Sequence, residues 1–244
     1  MFVLTKKIND LYFDDEFQPV IVYGGTLGIG KSSYSFKATA EAYGTHIENG
    51  EVTVTPDWRK VKEYLTFPPW DFVDKCFKMI EQNRREKVLI WDDAGLWLNS
   101  MDWNHPFVKA VIKYLNVART NWGCIIFTTP TPNMVVKRLR GFPDRITIKI
   151  IKTGSNKKNP NKPRRAVAYR NWTSPDLKHT GVRKIWEDDF SALMPDDFYD
   201  WYKPIRDEYA AMAVKMMKEE LRELRYLGQD LTHLAQMIQK NHHI

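Results

Sequence analysis

The sequence predicts an α/β chain: a doubly wound, mostly parallel sheet followed by a helical C-terminal extension. Three observations carry this reading. Short apolar runs stop at glycines or at small polar and acidic residues, namely Val20-Ile21-Val22-Tyr23, Val88-Leu89-Ile90-Trp91 and Cys124-Ile125-Ile126-Phe127. Strands buried on both faces have this look. Helical patterns alternate with them, and the final stretch from 202 onward is helical apart from a break at Gly228.

Taken in order, residues 4–13 pattern as an amphipathic helix leading to Pro19. The first apolar run follows, stopped by Gly24-Gly25. Residues 32–43 are Ala-rich and free of breakers, so helical, with Gly44 closing the helix. Residues 51–55 suit a strand, and Phe67-Pro68-Pro69-Trp70 a turn. Residues 71–84 suit a helix with Phe72, Cys76, Met79 and Ile80 on one face. No second core strand declares itself between 45 and 86.

The run 87–91 reads as a buried strand ending at Asp92-Asp93. Residues 106–120 form a helical pattern with Val108, Val111, Ile112, Leu115 and Val117 mostly inward. The next strand closes on Thr128-Thr129-Pro130, and 133–140 is a short helix. Ile146, Ile148 and Ile150 alternate, and 166–170 can pair back to give a hairpin over 145–170 with a turn-rich tip. Beyond it, 202–227 is helical, Gly228 interrupts, and 231–240 resumes. The expected division is a core over 1–175 and a helical lid or assembly element over 176–244.

Composition narrows the function classes. The chain has 244 residues, 43% apolar and 27% charged, enough for one core with an appendage. It holds no apolar run long enough to span a membrane. The mixed charges of the first twenty residues do not fit a secretory signal. Cys76 and Cys124 form neither a disulfide framework nor a metal motif and are expected to be buried. An intracellular protein is expected. The net charge of +7 is concentrated, because residues 134–170 carry 12 Lys and Arg against 1 acidic residue. Such a stretch suggests a surface for a polyanion; a solvated loop is the plainer alternative.

Gly25-Thr26-Leu27-Gly28-Ile29-Gly30-Lys31-Ser32 satisfies the eight-position phosphate-loop pattern. The glycines let successive N–H groups turn toward phosphate oxygens, and the following helix adds its N-terminal dipole. Lys31 is expected on the β and γ phosphates, and the Ser32 hydroxyl on Mg2+. The nucleotide-binding set runs from Gly25 through Ser33. The carboxylates ending the 87–91 strand stand where a Walker B element belongs. Asp92 is expected to hold Mg2+ through water. Asp93 sits where many relatives have a Glu that polarises the attacking water, one methylene longer; a structural role is the alternative. Either Thr128 or Thr129 is placed to sense the γ phosphate.

These parts favour an additional-strand core on the AAA+/RecA side of the P-loop NTPases over kinases and GTPases. The absence of an Asn-Lys-x-Asp motif tilts the nucleotide to ATP. Lys137-Arg138-Leu139-Arg140-Gly141-Phe142-Pro143-Asp144-Arg145 follows the sensor strand by one helix. Arg140 is the first choice for a finger acting on a neighbouring subunit, Arg138 the second and Arg119 a weaker third. Contact with solvent or nucleic acid is the alternative for all three.

With these residues in view, the sequence resembles the P-loop ATPases of crenarchaeal spindle-shaped viruses (fuselloviruses) and related plasmids, described as DnaA-like or AAA+. The resemblance lies in Gly25 to Ser32, in Ile90-Trp91-Asp92-Asp93-Ala94-Gly95-Leu96-Trp97-Leu98 and in Phe127-Thr128-Thr129-Pro130-Thr131-Pro132-Asn133. It covers roughly residues 10–155. It implies an ATPase acting on viral or plasmid DNA in the host cytoplasm, in replication initiation or genome handling.

Lys157, Lys158, Lys162, Arg164 and Arg165 are expected at the hairpin tip, binding duplex DNA by its phosphates with little sequence preference. Five such contacts predict a log K against log salt slope of about −4. Trp172 can stack on a base or simply pack. The leading expectation is a DNA-stimulated ATPase that works as a homo-oligomer. A slowly hydrolysing ATP-gated switch, a DNA packaging or translocation motor, and a nucleotide kinase are the alternatives.

Overall fold

The computed structural model describes residues 1–153, 163–174, 176 and 178–226. The chain divides into two units, Met1–Met194 and Pro195–Ile244.

In the first unit, α1 (Val3–Phe13) leads into β1 (Gln18–Tyr23), and the phosphate-loop segment follows directly, ending in α2 (Lys31–Tyr43). A small hairpin of β2 (Thr45–Glu48) and β3 (Glu51–Val54) comes next. Its two-residue turn is Asn49-Gly50, both at positive φ, 52° and 82°, the backbone that tight hairpin turns require. Then come α3 (Trp58–Tyr64), β4 (Leu65–Thr66), α4 (Pro69–Glu81), β5 (Glu86–Trp91), α5 (Pro106–Leu115) and β6 (Trp122–Thr129). After the four-residue α6 (Lys137–Arg140) the unit ends with β7 (Ile146–Lys152), β8 (Arg164–Thr173) and β9 (Thr180–Phe190).

Seven strands form one sheet in the order β4-β5-β6-β1-β7-β8-β9. The first five are mutually parallel; β8 and β9 are added antiparallel. β6 lies between β1 and β5, so the additional strand expected from the sequence is in place. The missing second core strand is β4, a two-residue element too short to leave a pattern.

Alternation along the strands decides which helices cover which face. Ile21, Leu89, Trp91, Ile125 and Phe127 point one way and share a core with Phe72, Met79, Val108 and Val111 from α4 and α5. Trp91 and Trp122 are fully buried there. Their indole N–H groups donate to Phe67 O at 2.7 Å and to the Tyr114 hydroxyl at 3.0 Å, so neither buried donor is wasted. The other face lies under α1 and α2, whose Leu4, Ile8, Tyr34 and Phe36 are all 0% exposed. Cys76 and Cys124 are buried free thiols; burial pushes Cys76 up to about 11, out of the reactive range.

The sheet continues past residue 175, where the sequence ends the core, because β9 carries it on to Phe190. β9 is an edge strand whose outward residues Arg183, Lys184 and Asp189 are exposed, so it lacks the apolar run that marks the central strands. Asp188 ties this edge down. It accepts from the backbone N–H groups of Val3 at 2.8 Å and Leu4 at 3.3 Å, and from the Tyr34 hydroxyl at 2.6 Å. The carboxylate thereby supplies the cap that α1 lacks from its own first residue.

In the second unit α7 (Asp196–Tyr226) is one helix of 31 residues. The N–H groups of Phe198 and Tyr199 donate to Pro195 O at its start. From Lys203 on the described side chains are mostly exposed, with Ile205, Tyr209 and Met212 half-buried. The expected second helix, 231–240, lies outside the described residues. No helix among the described residues is long and apolar enough to cross a membrane.

Candidate phosphate-binding site

The segment between β1 and α2 leaves the sheet at the C-terminal ends of its parallel strands, where ligands of open α/β sheets bind. Gly25, Thr26, Leu27 and Gly28 are exposed, whereas Ile29, Lys31 and Ser33 are buried. Gly28 and Gly30 have φ of 72° and 104°, a region open to glycine and strained for other residues. Lys31, the first residue of α2, is 7% exposed.

Three groups converge beneath this loop. Ser32 Oγ donates to Asp92 Oδ1 at 2.8 Å, and Thr128 Oγ1 donates to the same oxygen at 2.5 Å. Thr128 Oγ1 in turn accepts from the Asp93 N–H at 2.8 Å. The register explains the meeting. Trp91 pairs with Phe127, so Asp92 and Thr128 fall one step beyond it, side by side on the face that carries α2. Asp92 is 1% exposed and its own N–H donates to Thr66 O in β4.

A serine hydroxyl against a buried carboxylate, at the mouth of a loop rich in inward-capable N–H groups, suits Mg2+ with a triphosphate. Magnesium takes one or two protein oxygens and fills its shell with water and phosphate. Ser32 and Asp92 are the residues that would hold it.

Asp93 is exposed and sits at φ 50°. That backbone is uncommon outside glycine, least so for Asp and Asn, and such strain clusters at functional sites. It turns the chain sharply at the end of β5 into the short 3-10 turn Ala94–Leu96. Gly95 in that turn has no room for a side chain, since a Cβ there would lie 2.6 Å from Thr129 Oγ1.

The structure separates the two threonines. Thr128 joins the Ser32–Asp92 cluster. Thr129, one step on, points to the opposite face and donates to Thr131 O at 3.1 Å. Their different surroundings follow from strand register, which the sequence alone did not supply.

The arginines fall into different settings. Arg140 donates through Nε to Val135 O at 3.0 Å and through Nη1 to Asn133 Oδ1 at 2.9 Å. It lines an open cleft of about 470 Å³ with Tyr23, Arg145, Thr147 and Tyr169. Ile21 and Tyr169 both pair with Thr147, so this cleft is on the α4/α5 side of the sheet, opposite α2. Arg145 has its charge disfavoured by burial and then by Arg140 nearby. The sequence places it at the end of the stretch expected to hold the finger, without choosing it. Arg138 is exposed, and Arg119 lies 3.8 Å from Asp15.

Of the five cations expected on the hairpin tip, Lys157, Lys158 and Lys162 lie outside the described residues. The other two are engaged elsewhere. Arg165 forms ion pairs with Asp189 and Glu187 across β8 and β9, at 2.7 and 3.2 Å. Arg164 is 7% exposed and its Nε donates to Ile29 O in the phosphate loop at 2.6 Å. One signal was available: Arg164-Arg165 faces Glu187-Asp188-Asp189 in sequence chemistry, and the strands pair just there.

No family model matches the chain. Protein B-251 of Sulfolobus spindle-shape virus 1, itself uncharacterized, is 27% identical over 223 residues, 89% of this chain and 85% of that one. Among solved structures, the N-terminal domain of zonular occludens toxin from Neisseria meningitidis covers 75% of this chain and 97% of its own. Its TM-score is 0.39 and its identity 16%. The KaiC-like protein PH0186 of Pyrococcus horikoshii OT3 covers 69% and 89% at TM-score 0.35 and 15% identity. The genome packaging NTPase B204 of Sulfolobus turreted icosahedral virus 2, solved with ATP-gammaS, covers 69% and 97% at 0.32 and 13%. At these TM-scores the superpositions are partial, and the fold rests on the strand order itself.

Proposed function

We propose that this chain binds ATP with Mg2+ through residues 25–33 and hydrolyses it to ADP and phosphate, acting on viral or plasmid DNA as a homo-oligomer inside the host cell. The observation that carries the reading is the meeting of Ser32, Asp92 and Thr128 beneath the phosphate loop. Bound Mg2+ would neutralise charge on the β and γ phosphates. Lys31 and the loop N–H groups position the triphosphate. Thr128 holds the Asp92 carboxylate in place, and Asp93, at the exposed end of β5, orients the attacking water.

Arg140 and Arg145 face a cleft on the side of the sheet away from α2, which favours a role on a neighbouring subunit's nucleotide over a role on their own. Arg140 is the finger in this reading, pre-set by Val135 and Asn133. The AAA+ or DnaA-like assignment and a part in replication initiation belong to the same proposal. So does α7 as the lid or assembly element. DNA contact rests on the lysines at 157, 158 and 162. With Arg164 and Arg165 engaged within the fold, three contacts remain and the salt slope falls to about −2.7.

The test is steady-state ATP hydrolysis by wild type and Lys31→Ala, with and without duplex DNA. DNA-stimulated turnover that the substitution abolishes supports the reading. A second reading, a slow ATP-gated switch, is favoured by the shorter Asp at position 93. Tight ATP binding with negligible turnover under every condition would select it.

A further inference from the structure

The neck of the β7–β8 hairpin reaches the phosphate loop through Arg164. Arg164 opens β8, pairs with Lys152 of β7 on one side and Phe190 of β9 on the other, and turns its side chain under the loop. Its stem packs against Gly30: a Cβ at Gly30 would lie 3.0 Å from Arg164 Cδ and 3.4 Å from the Phe190 ring. Its Nε donates to Ile29 O at 2.6 Å.

That hydrogen bond has a geometric consequence. In a trans peptide the carbonyl and the following N–H point in opposite directions. With Ile29 O drawn toward β8, the N–H of Gly30 faces away from β8. This N–H belongs to the stretch that must present donors to phosphate.

We propose that Arg164 is a positioning residue of the phosphate loop: it fixes the Ile29–Gly30 peptide with its N–H toward the phosphates and so links nucleotide affinity to the hairpin neck. The inference rests on the nucleotide-binding reading above. Linkage is reciprocal, so a polyanion that shifts the neck changes nucleotide affinity by the same factor by which nucleotide changes the polyanion's.

The experiment measures binding of a fluorescent ATP analogue with Mg2+, and of a 30-base-pair duplex, to wild type, Arg164→Met, Arg165→Ala and Lys31→Ala. Methionine keeps an apolar stem against Gly30 and removes the donor. Arg164→Met is expected to weaken nucleotide about tenfold or more, the scale of one charge-assisted hydrogen bond, while leaving nucleotide-free duplex binding unchanged. Arg165→Ala is expected to leave nucleotide binding unchanged. Nucleotide affinity at the wild-type level in folded Arg164→Met overturns the proposal, and a loss confined to duplex binding returns Arg164 to the nucleic-acid contacts. If Lys31→Ala also binds as wild type, the nucleotide reading itself fails. Amide exchange on the wild-type protein needs no variant: the Gly30 N–H should gain protection when nucleotide binds, and no gain overturns the proposal even if Arg164→Met does not fold.

Discussion

β6 buries all eight of its residues, whereas β9, at the far edge of the same sheet, leaves Val182, Arg183, Lys184 and Asp189 exposed. The central strands are held by apolar area on both faces. The antiparallel edge is held by a few polar contacts: Asp188 on α1 and Tyr34, Arg165 on Asp189 and Glu187, and Arg164 on the loop. The first kind of cohesion is spread over many contacts and sets stability. The second is concentrated in single side chains, and it is what joins distant parts of the chain to the site.

The difference can be broken at either end. Trp91→Ala, in the parallel centre, should lower unfolding free energy by about 3–5 kcal/mol, read by urea denaturation. Lys31→Ala should leave that curve in place and lower ATP turnover about 10²–10³-fold, the loss on removing one preorganised donor. Asp188→Ala should cost about 1–3 kcal/mol, because two backbone N–H groups and the Tyr34 hydroxyl lose their acceptor. Arg165→Ala should cost less than Asp188→Ala, since its pairs are partly exposed. A larger loss there than at Asp188 would show the edge to be held by its surface pairs instead.

What the sequence disclosed follows the same line. β1, β5 and β6 were legible because burial on both faces writes an apolar run, and the loop between β1 and α2 because its chemistry demands fixed residues at fixed spacing. β4 was not, being two residues long, and β9 was not, since an edge strand tolerates charge. Seeing that Thr128 and Thr129 meet different neighbours needed the pairing of Trp91 with Phe127. The place of Arg164 needed a contact spanning 135 residues, and a run of neighbouring cations in sequence pointed instead to a shared surface.

The strand that carries the phosphate loop is made early and completed late. Gln18 waits for Cys124, and Val20 for Ile146, while the Val3 N–H finds its acceptor 185 residues further on. At roughly 5–20 residues per second of synthesis, β1 stays without either neighbour for on the order of ten seconds. During that interval its apolar edges are open to other chains. Chain order thus makes the emerging N-terminal half the aggregation-prone stage, and a chaperone that shields residues 18–23 until the hairpin emerges would raise the yield of folded protein.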